Sequence, residues 1–284
     1  MTAPLRRVAV CTPKTAGWLV RKRVAQWSAL GYRHKPEFAA AQKQHDALCK
    51  ALADFGAEVL PLPEDDGYTL DAIYPHDASL VTDHGAILLR MGKTAREGEP
   101  PAHQAFYESL GIPVFGRIRA PGMVEAGDIV WLDEKTLLAG RGYRTNAAGI
   151  EQLRALLGPK GVEVSAAPLP HYSGPKSCMH LMSILSLIGE GSALTDTHLL
   201  AVETVELLES RGIRFVEMDP AERDSLACNV LALGNGKLLA LEGNPKTKQK
   251  LWEAGFEVKT IPGGELALNG GGGPTCLTRP ILRA

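Results

Sequence analysis

The sequence predicts an α/β protein built from a repeated unit of β-hairpin, helix and strand. Short apolar runs alternate with segments in which apolar residues recur at helical spacing. Turn-forming residues separate the runs, and the 30 glycines and 19 prolines agree with many short elements. Because the same order of elements recurs several times, we expect a ring of repeats around a central channel and not one doubly wound sheet.

The first predicted elements are a strand over residues 7–11, a helix over residues 36–55 and a strand over residues 58–62. In the helix, apolar residues follow near-helical spacing. Gly56 comes directly after it, and glycine is the residue that most often ends a helix.

Hairpin, helix and strand then repeat along the rest of the chain. Hairpins are predicted for four pairs of apolar runs, at residues 79–82 with 86–89, 129–132 with 136–139, 181–184 with 193–195, and 229–233 with 237–241. The step Asn235-Gly236 in the last pair is the strongest hairpin signal of the chain. Helices are predicted over residues 146–157, 197–211 and 245–254, and strands over residues 162–166, 214–218 and 257–261. Since no long or biased linker divides these units, we expect a single catalytic domain over residues 1–284.

Composition and charge exclude several classes of function. The chain has 284 residues, of which 45% are hydrophobic and 22% charged, as in ordinary globular proteins. With 31 Lys+Arg against 32 Asp+Glu, the net charge of -1 gives no reason to expect nucleic acid or a membrane as a partner. Neither a secretory signal nor a membrane-spanning stretch is recognisable, so we expect a cytoplasmic protein. A homodimer is compatible with the sequence.

The five cysteines are Cys11, Cys49, Cys178, Cys228 and Cys276. Their number is odd and they form no C-x-x-C pair, which argues against a disulfide framework and against a structural zinc site. At least four are expected to be small buried hydrophobic residues. The question is whether one of them is a nucleophile.

A glycine-rich loop precedes Cys276. Four consecutive glycines begin at Gly270 and are followed by Pro274 and Thr275. Such a run weakens a strand and suits a place where backbone must come close to a ligand, which makes Gly270 a candidate for substrate contact. Cys276 is then either a nucleophile that the substrate reaches or a buried cysteine after a flexible turn.

Histidine and acidic residues supply the other candidates. His180 lies just before an apolar run, as either a proton-transfer group or a satisfied polar residue. Glu125 and Asp128 surround a glycine and suit the orientation of a base, the binding of a cation or a solvated turn. Asp71 and Asp77 suit a cationic ligand or, again, turns. Arginines elsewhere suit a carboxylate, which a guanidinium can bind through two parallel hydrogen bonds; they are Arg90, Arg96 and Arg144.

Taken together, these residues resemble the guanidino-group-modifying superfamily, whose members act on arginine and its relatives. The ordered signature of that superfamily matches Asp77, the segment from Glu125 to Asp128, His180 and Cys276, and the similarity runs from about residue 8 to residue 282. The resemblance implies a five-bladed pseudosymmetric α/β propeller, the pentein-like form of the predicted repeat.

Within the superfamily, the chain is most similar to the dimethylarginine dimethylaminohydrolases. The segments that carry this similarity are residues 40–45, 90–96 and 142–146. The resemblance implies that Asp77 holds the guanidinium of a small-molecule substrate and that Asp71 is another acid of the substrate site. It also implies that Arg96 and Arg144 contact the carboxylate end of the substrate.

The resemblance further implies hydrolysis of methylated arginine to citrulline and a methylamine through a covalent thiouronium on Cys276. His180 would act as general acid and base, and Glu125 would hydrogen-bond His180 or the substrate. Neither a metal nor an organic cofactor is expected.

Two other functions stay open. The first is a deiminase, dihydrolase or amidinotransferase that uses the same cysteine and histidine. Those enzymes usually carry a second acid two residues after the histidine, where this chain has Met182, but His76 and the loop over residues 270–274 depart from the dimethylarginine pattern. The second is an inert guanidino-binding protein, which the joint presence of cysteine, histidine and both acids disfavours.

Overall fold

The computed structural model describes residues 1–175 and 177–284, and in these residues the chain forms five small sheets of three strands each. In every sheet, the middle strand pairs antiparallel with one neighbour and parallel with the other. This is the five-bladed pseudosymmetric α/β propeller that the family resemblance implies, and it confirms the predicted repeat.

The strands of the described residues are β1 Leu5–Val10, β2 Glu58–Pro61, β3 Ser79–Thr82, β4 Gly85–Leu88, β5 Val114–Arg117, β6 Ile129–Asp133, β7 Thr136–Arg141, β8 Glu163–Pro168, β9 Leu185–Gly189, β10 Ser192–Thr195, β11 Arg214–Glu217, β12 Leu231–Gly234, β13 Lys237–Leu241, β14 Glu257–Ile261 and β15 Arg279–Arg283. The helices are α1 Arg21–Val24, α2 Trp27–Leu30, α3 Phe38–Asp54, α4 Glu99–Ser109, α5 Ala147–Leu157, α6 Val202–Ser210 and α7 Pro245–Glu253.

Blade one contains both ends of the chain, with strand order β15-β1-β2. Its middle strand pairs antiparallel with β15, where Val8 lies opposite Pro280, and parallel with β2, where Val8 lies opposite Val59. The other blades follow in chain order, as β3-β4-β5, β6-β7-β8, β9-β10-β11 and β12-β13-β14. The C-terminal strand thereby brings Cys276, three residues before it, next to blade two.

The helices pack an apolar face against the sheets. In α5, Ile150, Leu153 and Leu157 are almost fully buried, at the spacing of one helical face, and they pack with Ile129 and Leu137 of the hairpin before them. Full burial of each such side chain stabilises the fold by about 1.5–3 kcal/mol. Asn146 begins this helix, and its side-chain oxygen accepts a hydrogen bond from the backbone of Gly149.

Two predicted elements differ from those observed. The run at residues 181–184 is not the first strand of a hairpin: Leu181–Ser183 is a 3-10 turn, and the strand begins at Leu185. Polar contacts override the apolar pattern there, because the backbone of Leu181 donates to Oδ1 of Asp128 at 2.9 Å. The helix predicted over residues 197–211 is likewise a 3-10 turn, Thr197–Leu199, followed by α6.

The sequence reasoning also missed the helix of blade two. Glu99, Pro100 and Pro101 open α4, and two adjacent prolines resemble a loop. Proline is nevertheless acceptable in the first turn of a helix, where the missing N–H would have had no partner within the helix. In residues 1–175 and 177–284, no helix combines the length and apolar character needed to cross a bilayer.

Candidate active site

The site is assembled at one position of the repeat, the segment that leads into the first strand of each blade. Asp77 precedes β3, Glu125 precedes β6, and His180 precedes β9. Asn229 precedes β12, and Cys276 precedes β15, which takes the corresponding place in blade one. Five residues that are distant in the sequence therefore come from equivalent places in five blades.

Asp77 is held from both sides by hydrogen bonds. Its Oδ1 accepts from the backbone of Gly127 at 2.9 Å, and its Oδ2 accepts from Nη1 of Arg96 at 2.6 Å. The side chain is buried. Because a carboxylate oxygen can accept two hydrogen bonds, each oxygen keeps the capacity to accept one from a guanidinium.

Glu125 and His180 form a buried pair. Nε2 of His180 lies 2.8 Å from Oε2 of Glu125, whose side chain has no exposed surface. Nδ1 of His180 faces the other way, 3.9 Å from Oδ1 of Asp77 and 3.6 Å from the sulfur of Cys178. The imidazole is thus oriented through one nitrogen, which leaves the other for proton transfer.

Cys276 is half-buried and is held by a residue that the sequence reasoning missed. Nδ2 of Asn229 donates to Sγ of Cys276 at 3.1 Å, and Oδ1 of Asn229 accepts from the backbone of Thr275 at 3.0 Å. The sequence placed Asn229 at the start of a predicted strand. The signal that identifies it is its place in the repeat, equivalent to those of Asp77 and His180.

The glycine run is a packed segment and not a flexible turn. A Cβ at Gly270 would lie 2.2 Å from the Tyr74 hydroxyl, and one at Gly272 would lie 2.6 Å from the Tyr74 ring. A Cβ at Gly273 would lie 2.7 Å from Cγ of Asn229. Tyr74 and Asn229 therefore require glycine at three of the four positions, and Gly271 has a positive φ of +85. Substrate contact by Gly270 remains a prediction.

The two arginines differ in their partners. Arg96 donates through Nε and Nη2 to Glu99 at 2.7 and 2.8 Å, and through Nη2 to the carbonyl of Tyr74 at 2.7 Å, besides its bond to Asp77. These four bonds use four of its five N–H donors, so it supports Asp77. One donor on Nη1 is left, and the substrate contact that the resemblance implies stays a prediction. Arg144 donates through Nη1 to Glu125 at 2.9 Å.

Asp71 lies beside the site in an ion pair. Its Oδ2 is 2.5 Å from Nζ of Lys93, and its side chain is almost fully buried. The backbone of Lys93 also donates to Glu125 at 2.9 Å. Lys93 therefore connects the two acids, and the predicted role of Asp71 toward substrate is not tested by these contacts.

His76 and Met182 are both buried. Nδ1 of His76 donates to the carbonyl of Thr278 at 2.9 Å, and the backbone of His76 donates to the carbonyl of Cys276 at 3.3 Å. Burial lowers the pKa of His76 to about 3, with help from Arg279. His76 is thus a neutral side chain that ties blade two to the segment of Cys276. Met182 packs in an apolar cluster between blades three and four.

The buried charges give Glu125, His180 and Cys276 different protonation states. Burial opposes charge on His180, but Cys178, Asp77 and Asp128 outweigh it and raise the His180 pKa well above its usual value. Burial likewise opposes charge on Glu125, yet the hydrogen bond from His180 lowers its pKa. Burial and the charge of Asp77 raise the pKa of Cys276 to about 12. The free site therefore holds an imidazolium and a neutral thiol.

Asp77, Glu125 and His180 offer ligand atoms that all lie within 4.8 Å of one another, close enough to share a metal ion. Both carboxylates already bind arginines, however, since Arg96 contacts Asp77 and Arg144 contacts Glu125. Oε2 of Glu125 is already bonded to both Arg144 and His180, so it has no acceptor position left for a metal ion. The arrangement suits proton transfer and the binding of one organic cation better than a metal.

A comparison with known families gives one match that covers most of the chain. The model of the eukaryotic N,N-dimethylarginine dimethylhydrolases matches residues 26–283. The N(G),N(G)-dimethylarginine dimethylaminohydrolase of Streptomyces coelicolor is 31% identical over 234 residues, which cover 82% of this chain and 83% of that protein.

Solved structures agree with the sequence comparison. A cysteine-to-serine mutant of the Pseudomonas aeruginosa dimethylarginine dimethylaminohydrolase, complexed with citrulline, is 28% identical, with a TM-score of 0.77 over 97% of this chain and 99% of that chain. The N-terminal domain of ArgZ, an arginine dihydrolase from cyanobacteria, superposes with a TM-score of 0.80 over 98% of this chain and 97% of that chain at 23% identity, which shows a shared fold.

Proposed function

The chain belongs to the N,N-dimethylarginine dimethylhydrolase family, and from this premise we propose that it hydrolyses N-methylated arginine to citrulline and a methylamine. The family membership makes the protein a hydrolase that acts on a linear amidine, and more broadly an enzyme of dimethylarginine hydrolysis or of a related arginine deiminase or dihydrolase reaction. The single observation that carries the finer proposal is the juxtaposition of Asp77, the Glu125–His180 pair and Cys276.

Asp77 would receive the guanidinium of the substrate. Its two oxygens are fixed by Gly127 and Arg96, so the remaining acceptor positions are preoriented for a planar cation. At the other end of the substrate, Arg144 would bind the α-carboxylate. Among residues 1–175 and 177–284, the side-chain hydrogen bonds of Arg144 come from Nη1, which keeps its Nε and Nη2 donors for that carboxylate.

Arrival of the substrate would generate the nucleophile. In the free site, the negative charge of Asp77 contributes to the raised pKa of Cys276. A guanidinium bound there neutralises that charge and adds a positive one next to the sulfur, which favours the thiolate. The thiol proton then leaves through solvent or a neighbouring base, and the sulfur attacks the central guanidinium carbon.

The first half of the reaction would then end in a covalent thiouronium. Attack forms the C–S bond and a tetrahedral intermediate. His180 gives its Nδ1 proton to the methylated nitrogen, the C–N bond breaks, and dimethylamine departs. The cationic thiouronium remains on Cys276, and Glu125 keeps the now neutral imidazole in place through Nε2.

Water completes the cycle. His180 takes a proton from the incoming water at Nδ1 as the hydroxide adds to the same carbon. The C–S bond then breaks, the sulfur leaves as thiolate, and the urea group of citrulline forms. The thiolate regains a proton, so one water is consumed for each citrulline and dimethylamine released. We also propose that residues 1–284 form one catalytic domain, because strands from both ends of the chain pair in blade one.

A second candidate is a deiminase that releases ammonia from unmethylated arginine. Two departures from the dimethylarginine pattern favour it, namely His76, which is neutral and bonds the segment of Cys276, and the deiminase-like glycine loop. The discriminating experiment incubates the purified protein with dimethylarginine, monomethylarginine, arginine and agmatine. Citrulline, methylamines and ammonia are then quantified separately, and the released amine identifies the reaction.

The covalent mechanism is tested by Cys276→Ser, with Cys49→Ser in α3 as the matched control. The alcohol is a far weaker nucleophile at neutral pH, so Cys276→Ser should lose several orders of magnitude of activity while it stays folded. Cys49→Ser should behave like the unchanged protein. If Cys276→Ser keeps activity within about tenfold, the covalent mechanism is wrong. If a labelled guanidino electrophile leaves Cys276 unmodified, the inert binding protein is favoured.

A further inference from the structure

Blade five contributes a polar side chain to the site at the same position from which the other blades contribute Asp77, Glu125, His180 and Cys276. This side chain belongs to Asn229, two residues before β12. It is 6% exposed, and both polar atoms of its amide bond the nucleophile segment, by which we mean residues 273–276. Nδ2 donates to the sulfur of Cys276 at 3.1 Å, and Oδ1 accepts from the backbone of Thr275 at 3.0 Å.

We propose that Asn229 is a further residue of the catalytic machinery, which donates a hydrogen bond to the reacting sulfur, stabilises its thiolate and fixes its direction of attack. The inference rests on the role of Cys276 given above and adds the residue that supports it. A carboxamide donor stabilises a thiolate more than a thiol, since a hydrogen bond to a charged acceptor is the stronger one.

The surroundings of the amide agree with a role in positioning the sulfur. Gly273 lies so close that a Cβ there would stand 2.7 Å from Cγ of Asn229, and its φ gives no other reason for glycine. Val230 is the residue after Asn229, and its carbonyl accepts a hydrogen bond from the hydroxyl of Thr275 at 3.1 Å. The nucleophile segment is therefore bonded to two consecutive residues at the start of blade five, Asn229 and Val230.

The amide also lies where it can serve both halves of the reaction. The sulfur must be a thiolate when it attacks and again when it leaves. A fixed donor at 3.1 Å favours both events, and because an amide does not ionise at these pH values it stays a donor throughout. Loss of the donor is therefore expected to lower kcat more than it raises KM.

The test is the pH dependence of Cys276 alkylation by iodoacetamide, which requires no turnover. The exposed Cys178 is replaced by serine in every variant, and modification of Cys276 is followed by peptide mass spectrometry. Asn229→Asp keeps the acceptor for Thr275 but puts a carboxylate oxygen where the donor was. We expect its alkylation at pH 8 to be about tenfold or more slower, with the alkylation profile moved to higher pH by about one unit.

Asn244→Asp is the matched control. Asn244 is also 6% exposed and follows β13 of the same blade, but its amide nitrogen donates to the carbonyls of Ser225 and Leu241. Replacement of this amide by a carboxylate removes a similar buried donor from the fold, but it changes no hydrogen bond to the sulfur of Cys276. Its Cys276 alkylation profile should match that of the unchanged residue.

A second variant reaches the same interaction without changing the asparagine. In Gly273→Ala, the new methyl group forces the Asn229 amide away from the sulfur, so its alkylation profile should move in the same direction. If the folded Asn229→Asp and Gly273→Ala proteins both keep the original profile, the proposal is wrong. If Asn229→Asp does not fold, the Gly273→Ala profile alone decides it.

The outcome is separable from that of the proposed function. The alkylation profile reports the ionisation of the thiol whether or not Cys276 attacks a guanidinium. If Cys276→Ser stays active, the proposed mechanism fails while the hydrogen bond from Asn229 is still measured. If only the Asn229 and Gly273 variants behave normally, the mechanism stands without this residue.

Discussion

Nε2 of His180 lies 2.8 Å from Oε2 of Glu125, and the two side chains come from different blades. Close packing permits this contact because Gly127, two residues after Glu125, has no side chain: a Cβ there would lie 2.3 Å from Nδ1 of His180. The contact between Glu125 and His180 therefore depends on the arrangement of neighbouring blades and on the glycine at position 127.

Glu125→Gln is expected to lower kcat by about 10- to 100-fold with little change in KM. The amide cannot hold the imidazolium as the carboxylate does, so His180 loses its proton at lower pH. The basic limb of the kcat–pH profile should move toward acid. Glu134→Gln, an exposed acid in the turn after β6, is the control and should show neither change. An unshifted profile for Glu125→Gln would show that Glu125 does not set the state of His180.

His180→Asn is expected to block release of the amine more than binding. General acid–base catalysis commonly contributes about 10²- to 10⁴-fold, and His180 is the group with a nitrogen free to transfer the proton. Turnover should fall by that order, and rapid-quench mass spectrometry should show neither released amine nor thiouronium on Cys276 in the first turnover, because the thiouronium forms only as the amine leaves. A variant that keeps kcat and loses only affinity would make His180 a binding residue.

Arg96→Ala is expected to destabilise the fold strongly, by about 3–5 kcal/mol, because it leaves Glu99 and Asp77 buried without their cation. Urea denaturation measures this change. Arg144→Ala removes a cation with fewer protein partners and should cost less stability while raising KM. If Arg96→Ala unfolds at the same urea concentration as the unchanged protein, Arg96 is not a structural support of Asp77, and the substrate contact that the resemblance implies regains weight.

Much of the fold was predictable because each repeat has a clear pattern. The hairpin of β12 and β13 and the helix of residues 147–157 follow from an Asn-Gly turn and from one apolar helical face. The turn at Leu181–Ser183 was not predictable, because its run of apolar residues is typical of a strand and its conformation depends on Asp128 from another blade. Tertiary contacts override local pattern there.

The site divides in the same way. Cys276, His180 and Glu125 were candidates because of their residue type and their order in the chain. The structure places Glu125 and His180 in contact, and the catalytic roles of all three stay predictions. The partners of Arg96 could not be found, since Glu99 and the carbonyl of Tyr74 meet it only in three dimensions. Asn229 carried no sequence signal of its own, because a lone asparagine before an apolar run is common in turns.

Acid sensitivity is expected to come partly from His103. Burial, followed by Arg279 and Arg96, lowers its pKa to about 3, against 6.5 when unfolded. The unfolded chain therefore binds the additional proton as pH falls from 6.5 toward 3, and stability is lost across that window by up to about 1.4 kcal/mol per pH unit. His180, whose pKa is raised, acts oppositely: its contribution is present below pH 6.5 and is lost as pH rises through its folded pKa.

The test compares the urea midpoints of the unchanged protein and His103→Gln between pH 7 and pH 5. Glutamine can keep a hydrogen bond to Ser79, which lies 3.0 Å from Nδ1 of His103, and it does not titrate. The variant should lose less stability over this interval. An equal loss in both proteins would assign the acid sensitivity to other groups.

The substrate prediction depends on Met182. A carboxylate two residues after His180 would pair with an unmethylated guanidinium nitrogen, and methylation of that nitrogen would leave the acid unpaired at a cost of about 1–3 kcal/mol. Met182 imposes no such cost, and its thioether chain adapts to an added methyl group. The unchanged enzyme should therefore turn over methylated arginines at least as well as arginine, judged by kcat/KM.

Met182→Asp should move that ratio toward arginine by roughly tenfold or more if the new acid reaches the bound guanidinium. The structure adds a second expectation, because Met182 is buried among apolar residues of blades three and four. A new carboxylate there without a partner lowers the stability of the free enzyme, and bound arginine should restore part of it as a rise in Tm that dimethylarginine does not match. Met182→Leu, which conserves volume and polarity, should keep both the ratio and the Tm. A clear preference of the unchanged enzyme for unmethylated arginine would instead establish the deiminase reaction and make His76 the first residue to replace.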